Sequence, residues 1–191
     1  MKHWLQRMIL PVFLLCQLAA AQNPHTIFLV RHAEKATAPA DDPALAPAGE
    51  KRAACLAKML QDAGIKQIFV TDAKRTQQTA APLAAALKLT PAIIPAKDPN
   101  SLISKLTYAG AGNILVVGHS NTLPFVLARM KAGTVPEIGE NEYDRMFVVT
   151  MAEGTTASVA TLHYCECGTA PGPKPAVSPK PATKKTPAKK P

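Results

Sequence analysis

The apolar run at residues 26–30, followed at once by Arg31 and His32, constrains the fold of this chain more than any other feature. A short run of β-branched and large apolar residues with polar boundaries predicts a buried strand. In an open α/β sheet, ligands bind at the carboxyl ends of the strands. A guanidinium beside an imidazole at such an end therefore predicts a site for a phosphate-like anion.

Two further apolar runs end in the same way. Residues 67–71 lead into a helix that begins near Arg75, and residues 113–118 lead directly to His119. If these strands run parallel, their carboxyl ends meet at one edge of the sheet. Helix N-termini near Arg75 and Asn121 then face that edge, where free N–H groups favour an anion. The side chains expected to meet there are Arg31, His32, Arg75 and His119.

Near-continuous apolar strands alternating with helical patterns predict an α/β sandwich with a largely parallel sheet. The chain contains neither a P-loop nor a GxGxxG motif, so nucleotide-binding loops gain no support. The predicted helices cover residues 47–64, 73–87, 101–109 and 122–131. A short strand is expected at residues 91–95, and a closing hairpin at residues 146–151 and 157–164.

Residues 1–21 have the pattern of a secretory signal, with a basic start, a short apolar stretch and small residues at the end. We expect cleavage after Ala21 and a periplasmic or secreted protein. Residues 22–168 then have the size of one domain.

Residues 169–191 are rich in Pro, Lys, Ala and Thr and contain no acidic residue, which predicts a disordered tail. The chain carries a net charge of +9, and this tail holds six of its lysines. The folded domain is thus nearly neutral, and we expect no nucleic-acid partner. Weak contact of the tail with an anionic envelope surface and a solvated tail without a partner are alternatives.

Three cysteines remain after cleavage, namely Cys55, Cys165 and Cys167. Export permits a disulfide, but the sequence leaves the pairing open, and Cys55 also suits a helix core. His163 alternates with Cys165 and Cys167, which makes a soft metal site the less favoured alternative. We expect no metal and no cofactor.

Four segments resemble motifs of the histidine phosphatase superfamily, also called phosphoglycerate mutase-like. They are residues 31–34 (Arg-His-Ala-Glu), 45–49, 71–80 and 117–121. Their order and spacing are similar to the superfamily over nearly all of residues 26–164. The resemblance implies a three-layer α/β/α sandwich with a largely parallel central sheet.

The resemblance also implies roles for the residues that match. His32 would attack phosphorus and form a phosphohistidine, without a metal. Arg31 and Arg75 would bind the non-bridging oxygens, with His119 and Asn121 completing the phosphate site.

The acid that protonates the leaving group stays open. Members of the superfamily place a carboxylate well after the second arginine or directly after the second histidine, where this chain has Ser120. Asp98 is the best candidate for the first arrangement, and its alternative role is a helix N-cap. Glu34 is another candidate, with a surface pair to Lys35 as its alternative. The third alternative is that no dedicated acid protonates the leaving group, as in some members of the superfamily.

These features predict an exported phosphatase that hydrolyses phosphomonoesters, with a phosphorylated small molecule or envelope component as its substrate. The domain has no large insertion to form a lid, which favours an open site. The alternative is a non-catalytic, anion-binding envelope module with a cationic anchoring tail. The sequence leaves the physiological substrate and the oligomeric state open.

Overall fold

The computed structural model describes residues 25–151 and 157–165. The predicted signal at residues 1–21, the predicted tail at residues 169–191 and Cys167 lie outside the described residues. Within the described ranges, no helix is long and apolar enough to cross a bilayer.

Each predicted strand and helix is present, with ends displaced by a few residues. The elements are β1 (His25–Arg31), α1 (Pro47–Leu60), β2 (Ile65–Thr71), α2 (Lys74–Leu87), β3 (Ala92–Ile94), α3 (Pro99–Thr107), β4 (Asn113–Gly118), α4 (Thr122–Arg129), β5 (Arg145–Met151) and β6 (Ser158–His163).

The strands form one mixed sheet in the order β3-β2-β4-β1-β5-β6. Strands β1 to β4 are parallel, and β5 and β6 form the predicted antiparallel hairpin at one side. Val117 of β4 pairs with both Val30 of β1 and Val70 of β2. This register brings the carboxyl ends of the three central strands to one edge, as the parallel arrangement requires.

Both faces of the sheet are covered, because the buried strands carry apolar side chains on each side. In β1, Ile27 and Leu29 pack in a cluster with residues of α3 and α4. Val30 belongs to the other cluster, which contains residues of α1 and α2. The fold is therefore the three-layer α/β/α sandwich that the sequence predicts.

The start of α1 holds the chain segment that follows β1. Pro47 occupies the first turn, where its missing N–H costs nothing. The Ala46 N–H donates to the Glu34 carbonyl at 2.8 Å. A Cβ on Gly49 would lie 2.2 Å from that carbonyl oxygen, so only glycine permits this approach. The first turn of α1 thereby fixes the backbone two residues beyond His32.

A disulfide joins Cys55 of α1 to Cys165 beyond β6, with 6.1 Å between the Cα atoms. This settles the pairing that the sequence leaves open. His163 Nδ1 lies 2.9 Å from a carboxylate oxygen of Asp144. Two members of the alternative metal cluster thus have other partners, and the described residues contain no group of three or more ligands suited to a metal.

We expect Cys55→Ser to lower the free energy of unfolding. The bond closes a loop with a sequence separation of 110 residues. Native disulfides that close long loops typically contribute about 2–4 kcal/mol. Urea unfolding should show this loss, and a reductant should destabilise the wild type to the level of the variant.

Ala54→Ser, on the neighbouring position of α1, is the matched control and should leave the reductant effect intact. A Cys55→Ser protein as stable as the oxidised wild type would contradict the prediction.

Candidate active site

A cavity of about 300 Å³ opens at the carboxyl ends of β1, β2 and β4. The structure brings together there all the predicted site residues except the two candidate acids. The lining residues are Arg31, His32, Lys35, Arg75, Ala96, His119, Ser120, Asn121, Thr122 and Glu140.

His32 is 4% exposed and lies directly after β1. Its Nδ1 lies 2.8 Å from the Ala33 carbonyl oxygen, which can only accept. Nδ1 therefore carries the proton, and the lone pair is on Nε2. Burial, together with the positive charges of Arg31 and Arg75, lowers the pKa of His32 to about 3. At neutral pH this imidazole is uncharged and can act as a nucleophile.

Arg31 is buried and held in one orientation. Its Nη1 donates to three backbone carbonyls, those of Gly139, Glu140 and Glu142, at 2.7, 2.9 and 3.1 Å. The guanidinium carbon lies 4.3 Å from the centre of the Tyr143 ring. The loop between α4 and β5 thus fixes Arg31 against β1.

Arg75 lies in the first turn of α2 and approaches the other side of the site. Its Nη2 is 3.5 Å from His119 Nδ1, and its Nη1 is 3.9 Å from an oxygen of Asp42. Within the described part of the chain, Arg75 Nε and Arg31 Nε are buried and have no hydrogen-bond partner. Buried donors without partners cost about 1–3 kcal/mol each, and an oxyanion offers the acceptors that they lack.

His119 follows β4 and contacts the end of β2. Its Nε2 lies 3.0 Å from Thr71 Oγ1, which in turn contacts Thr76 Oγ1 at 2.9 Å. Because a guanidinium only donates, the contact from Arg75 makes Nδ1 an acceptor and places the ring proton on Nε2, which donates to Thr71 Oγ1. An anion that takes the Arg75 N–H allows the other tautomer, with the proton on Nδ1, where it can be donated to that anion. Burial, followed by the charge of Arg75, lowers the pKa of His119 to about 4.

A buried threonine joins the two halves of the site. Thr79 Oγ1 accepts from the Ala33 N–H at 2.9 Å and donates to the Arg75 carbonyl at 2.7 Å. The residue after His32 and the arginine of α2 are thus held by one hydroxyl. The sequence analysis does not assign this role, although the spacing of Thr76 and Thr79 places both on one face of α2.

The two carboxylates predicted as candidate acids have other contacts. Asp98 is exposed and its Oδ1 accepts from the Ser101 N–H at 3.1 Å, which is the N-cap role. Glu34 accepts from Arg52 Nε at 3.0 Å and from Nη2 at 2.7 Å. Neither Asp98 nor Glu34 lines the cavity. The expected surface pair of Glu34 with Lys35 is replaced by the pair with Arg52.

Arg52 is a residue that the sequence gives no reason to select. It is 6% exposed, and its Nη1 donates to the carbonyls of Tyr164 and Cys165, at 3.1 Å each. Its side chain thus connects Glu34, two residues beyond His32, to the segment that the disulfide holds. The position of Arg52 three residues before Cys55 is the only sequence signal for this link.

Glu140 is the third residue whose role the sequence reasoning missed, after Thr79 and Arg52. It is the only carboxylate among the residues that line the cavity. One of its oxygens lies 3.7 Å from Arg31 Nη2, and the side chain is 89% exposed. Its loop shows no apolar periodicity, so only the cluster of acidic residues between positions 137 and 144 could have indicated it.

The N-termini of α2 and α4 differ in what their first residues contact. Asn121, the N-cap of α4, lines the cavity and has no side-chain cap. At α2, the first N–H, that of Lys74, donates to Asp42 at 2.9 Å. That backbone group is therefore already paired with a carboxylate. The first two N–H groups of α4, those of Thr122 and Leu123, donate to the His119 carbonyl at 3.2 and 3.1 Å.

Comparisons with known proteins bear on the family and the fold. The sequence model described as the histidine phosphatase superfamily (branch 1) matches residues 27–96. No curated protein matches the chain.

Solved structures share the fold. One is the protein histidine phosphatase SixA with tungstate, 20% identical with a TM-score of 0.59, covering 72% of this chain and 96% of that one. A putative α-ribazole-5′-phosphate phosphatase from Escherichia coli is 16% identical with a TM-score of 0.59, over 73% and 96%. A mycobacterial glucosyl-3-phosphoglycerate phosphatase with inorganic phosphate is 13% identical with a TM-score of 0.58, over 73% and 96%.

The lowered histidine pKa values predict a loss of stability in acid. In the unfolded chain these imidazoles bind protons below about pH 6.5, whereas the fold keeps them neutral. The free energy of unfolding should therefore fall as the pH decreases from 6.5 towards 4. Above pH 6.5 these two histidines should cause no change in it. His119→Asn should make this fall about 3 kcal/mol smaller at pH 4.

Urea unfolding at several pH values, in phosphate-free buffer, measures the effect. The buffer matters because a bound anion would favour the protonated rings. The same acid slope in the variant and the wild type would show that His119 is not responsible.

Proposed function

This chain belongs to the histidine phosphatase superfamily, and on that premise we propose that it hydrolyses phosphate monoesters through a phosphohistidine formed on His32. One observation supports this most. The Nδ1–H of His32 is bound to the Ala33 carbonyl, so that the Nε2 lone pair belongs to a buried, neutral ring beside two arginines.

In the first step, His32 Nε2 attacks phosphorus in line with the leaving oxygen. The N–P bond forms, the P–O bond breaks, and the leaving group keeps the electron pair. Arg31, Arg75 and His119 hold the non-bridging oxygens and neutralise their charge, which supplies the positioning that phosphoryl transfer requires. The ring becomes cationic, and the Ala33 carbonyl stabilises it at Nδ1.

In the second step, water attacks the phosphoryl group. The N–P bond breaks, its electron pair returns to Nε2, and inorganic phosphate leaves. His32 is restored in its neutral form, with its one ring proton still on Nδ1.

We assign the leaving-group proton to Glu140. Asp98 caps α3 and Glu34 is held by Arg52, which leaves Glu140 as the carboxyl group at the cavity. Glu140 then gives its proton to the leaving oxygen and regains one from the attacking water.

The proposed setting is the periplasm or the exterior, after cleavage behind Ala21. The disulfide between Cys55 and Cys165 supports it, because such bonds persist in oxidising compartments. Phosphorylated small molecules or envelope components are the proposed substrates. The lysines of the tail would contribute weak contact with an anionic surface.

His32→Ala should reduce hydrolysis of p-nitrophenyl phosphate at least about 10³-fold, because it removes the nucleophile. EDTA should leave the rate of the wild type unchanged. Rapid quenching of the wild type during turnover should trap acid-labile phosphate on His32.

His25→Ala is the matched control, because His25 lies at the opposite end of β1 and should retain full activity. Turnover that survives His32→Ala, or that stops in EDTA, would refute the mechanism. Phosphate binding without any turnover would instead favour the anion-binding module.

Glu140→Gln should affect esters according to their leaving group. An alkyl phosphate needs a proton on its leaving oxygen, and its rate should fall about 10²-fold. p-Nitrophenyl phosphate has a weakly basic leaving group, and its rate should change less than about threefold. Initial rates on both esters measure the difference.

Glu137→Gln is the matched control, because this exposed carboxylate lies in the same loop and does not line the cavity. Asp98→Asn tests the other candidate and should leave the ratio of the two rates unchanged. Equal loss on both esters in Glu140→Gln would exclude the acid role.

A further inference from the structure

The segment that follows β6 is held in a conformation that its own residues disfavour. Cys165 has a φ of 52°, in the left-handed region that residues other than glycine rarely adopt. The hydroxyl of Tyr164 is buried and has no hydrogen-bond partner within residues 25–151 and 157–165. Both features cost free energy. The buried ring of Tyr164, the disulfide to Cys55 and the donors of Arg52 offset that cost.

Arg52 connects this segment to the residue two positions beyond His32. Its Nη1 donates to the carbonyls of Tyr164 and Cys165 at 3.1 Å each. Its Nε and Nη2 donate to the Glu34 carboxylate at 3.0 and 2.7 Å. A buried donor that loses its acceptor is costly, so the guanidinium must shift when the carbonyls on one side move away. A change after β6 is thereby transmitted to Glu34.

Glu34 adjoins the peptide group that fixes the proton of His32. The Ala33 carbonyl, which accepts from His32 Nδ1 at 2.8 Å, belongs to the peptide between Ala33 and Glu34. This peptide is planar, so a rotation of the Glu34 backbone turns that carbonyl away from the ring. The Glu34 carbonyl is bound to the Ala46 N–H, and its side chain to Arg52. Both contacts therefore help to keep the proton on Nδ1 and the lone pair on Nε2.

The groups that hold the phosphoryl oxygens are anchored elsewhere. Within the described residues, Arg31 Nη1 donates to three carbonyls of the loop between α4 and β5. Arg75 lies on α2, beside His119 and Asp42. A shift of Arg52 thus acts on the nucleophile and leaves the phosphate-binding arginines in place. Its effect should appear in kcat and not in KM.

We propose that Arg52 is a positioning residue for His32 and that the disulfide keeps it in place, so that a dithiol reductant lowers kcat. This inference rests on the proposed phosphatase function. The S–S bond breaks, the dithiol supplies two electrons and two protons and becomes a disulfide, and Cys55 and Cys165 become thiols. Both cysteines are half-buried, which gives the reductant access. Without the bond, Cys165 leaves the left-handed conformation and its carbonyl turns away from Arg52.

Initial rates on p-nitrophenyl phosphate, with and without dithiothreitol, test the proposal at a temperature where near-ultraviolet circular dichroism shows both forms folded. Reduction of the wild type should lower kcat about fivefold, and KM should change less than about twofold. Arg52→Gln should lower kcat about tenfold, the effect of one charge-assisted contact, and should no longer respond to the reductant. Arg52→Lys keeps the cation and should recover part of the rate.

Nitrogen-15 NMR of the histidine rings gives a readout that a merely structural role would not move. Oxidised wild type should carry the His32 proton on Nδ1. Reduced wild type and Arg52→Gln should show both tautomers of His32. An unchanged tautomer in both samples would overturn the role of Arg52, even if the free energy of unfolding falls.

Two matched controls accompany these measurements. Lys51→Gln removes an exposed cation at the neighbouring position of α1 and should keep both the rate and the response to dithiothreitol. Cys167→Ser removes the third cysteine of residues 22–191 and should also keep the response. A response that disappears in Cys167→Ser would assign the effect to another thiol and overturn the inference.

The outcomes separate this inference from the proposed function. Equal kcat in the oxidised and reduced wild type, or a loss confined to KM, would overturn the inference and leave the phosphatase function standing. A wild type that hydrolyses no ester in either form would overturn the proposed function and the effect on kcat. The tautomer of His32 would then still show whether Arg52 positions the ring.

Discussion

The hydrogen bond from the His32 N–H to the Gly118 carbonyl, at 2.9 Å, is the contact on which the arrangement of the site depends. It extends the parallel pairing of β1 and β4 one residue beyond the end of β1. His32, the proposed nucleophile, is therefore placed by the sheet rather than by a loop. His119 follows Gly118 directly, so the same register sets the distance of 5.5 Å between the two imidazole rings.

Two guanidinium groups and two imidazoles meet at this edge of the sheet, and the carboxylates of Glu140 and Asp42 lie 3.7 Å from Arg31 and 3.9 Å from Arg75. Burial, together with the nearby guanidinium groups of Arg31 and Arg75, lowers the pKa of both histidines, so their rings are neutral at pH 7. Burial and the neighbouring guanidinium groups act in the same direction on these rings. The same buried, cationic surroundings that suit an anion thus keep the His32 ring neutral. The proposed mechanism therefore needs no separate base to activate His32.

The sequence predicts the parts of this site that depend on local pattern. Strands end where apolar runs meet Arg31 and His119, and parallel strands bring their ends together, so the convergence follows from the strand pattern. For Asp98 the local pattern offers two roles, and the structure shows the cap, because the Ser101 N–H lies three residues away in the first turn of α3.

The remaining contacts join residues that are far apart in the chain, and no local pattern encodes them. Glu140 approaches Arg31 across 109 positions, through a loop without periodicity. The pairing of Cys55 with Cys165 depends on how the last strand packs beside α1. Arg52 resembles any polar helix residue in the sequence, yet it connects that disulfide-bonded segment to Glu34 and hence to the backbone beyond His32. Glu140 differs from these buried groups because its side chain is exposed, so a substitution there has little effect on the core. In the proposed mechanism, phosphate binding and leaving-group protonation therefore depend on separate sets of residues, the first buried at the strand ends and the second at the rim.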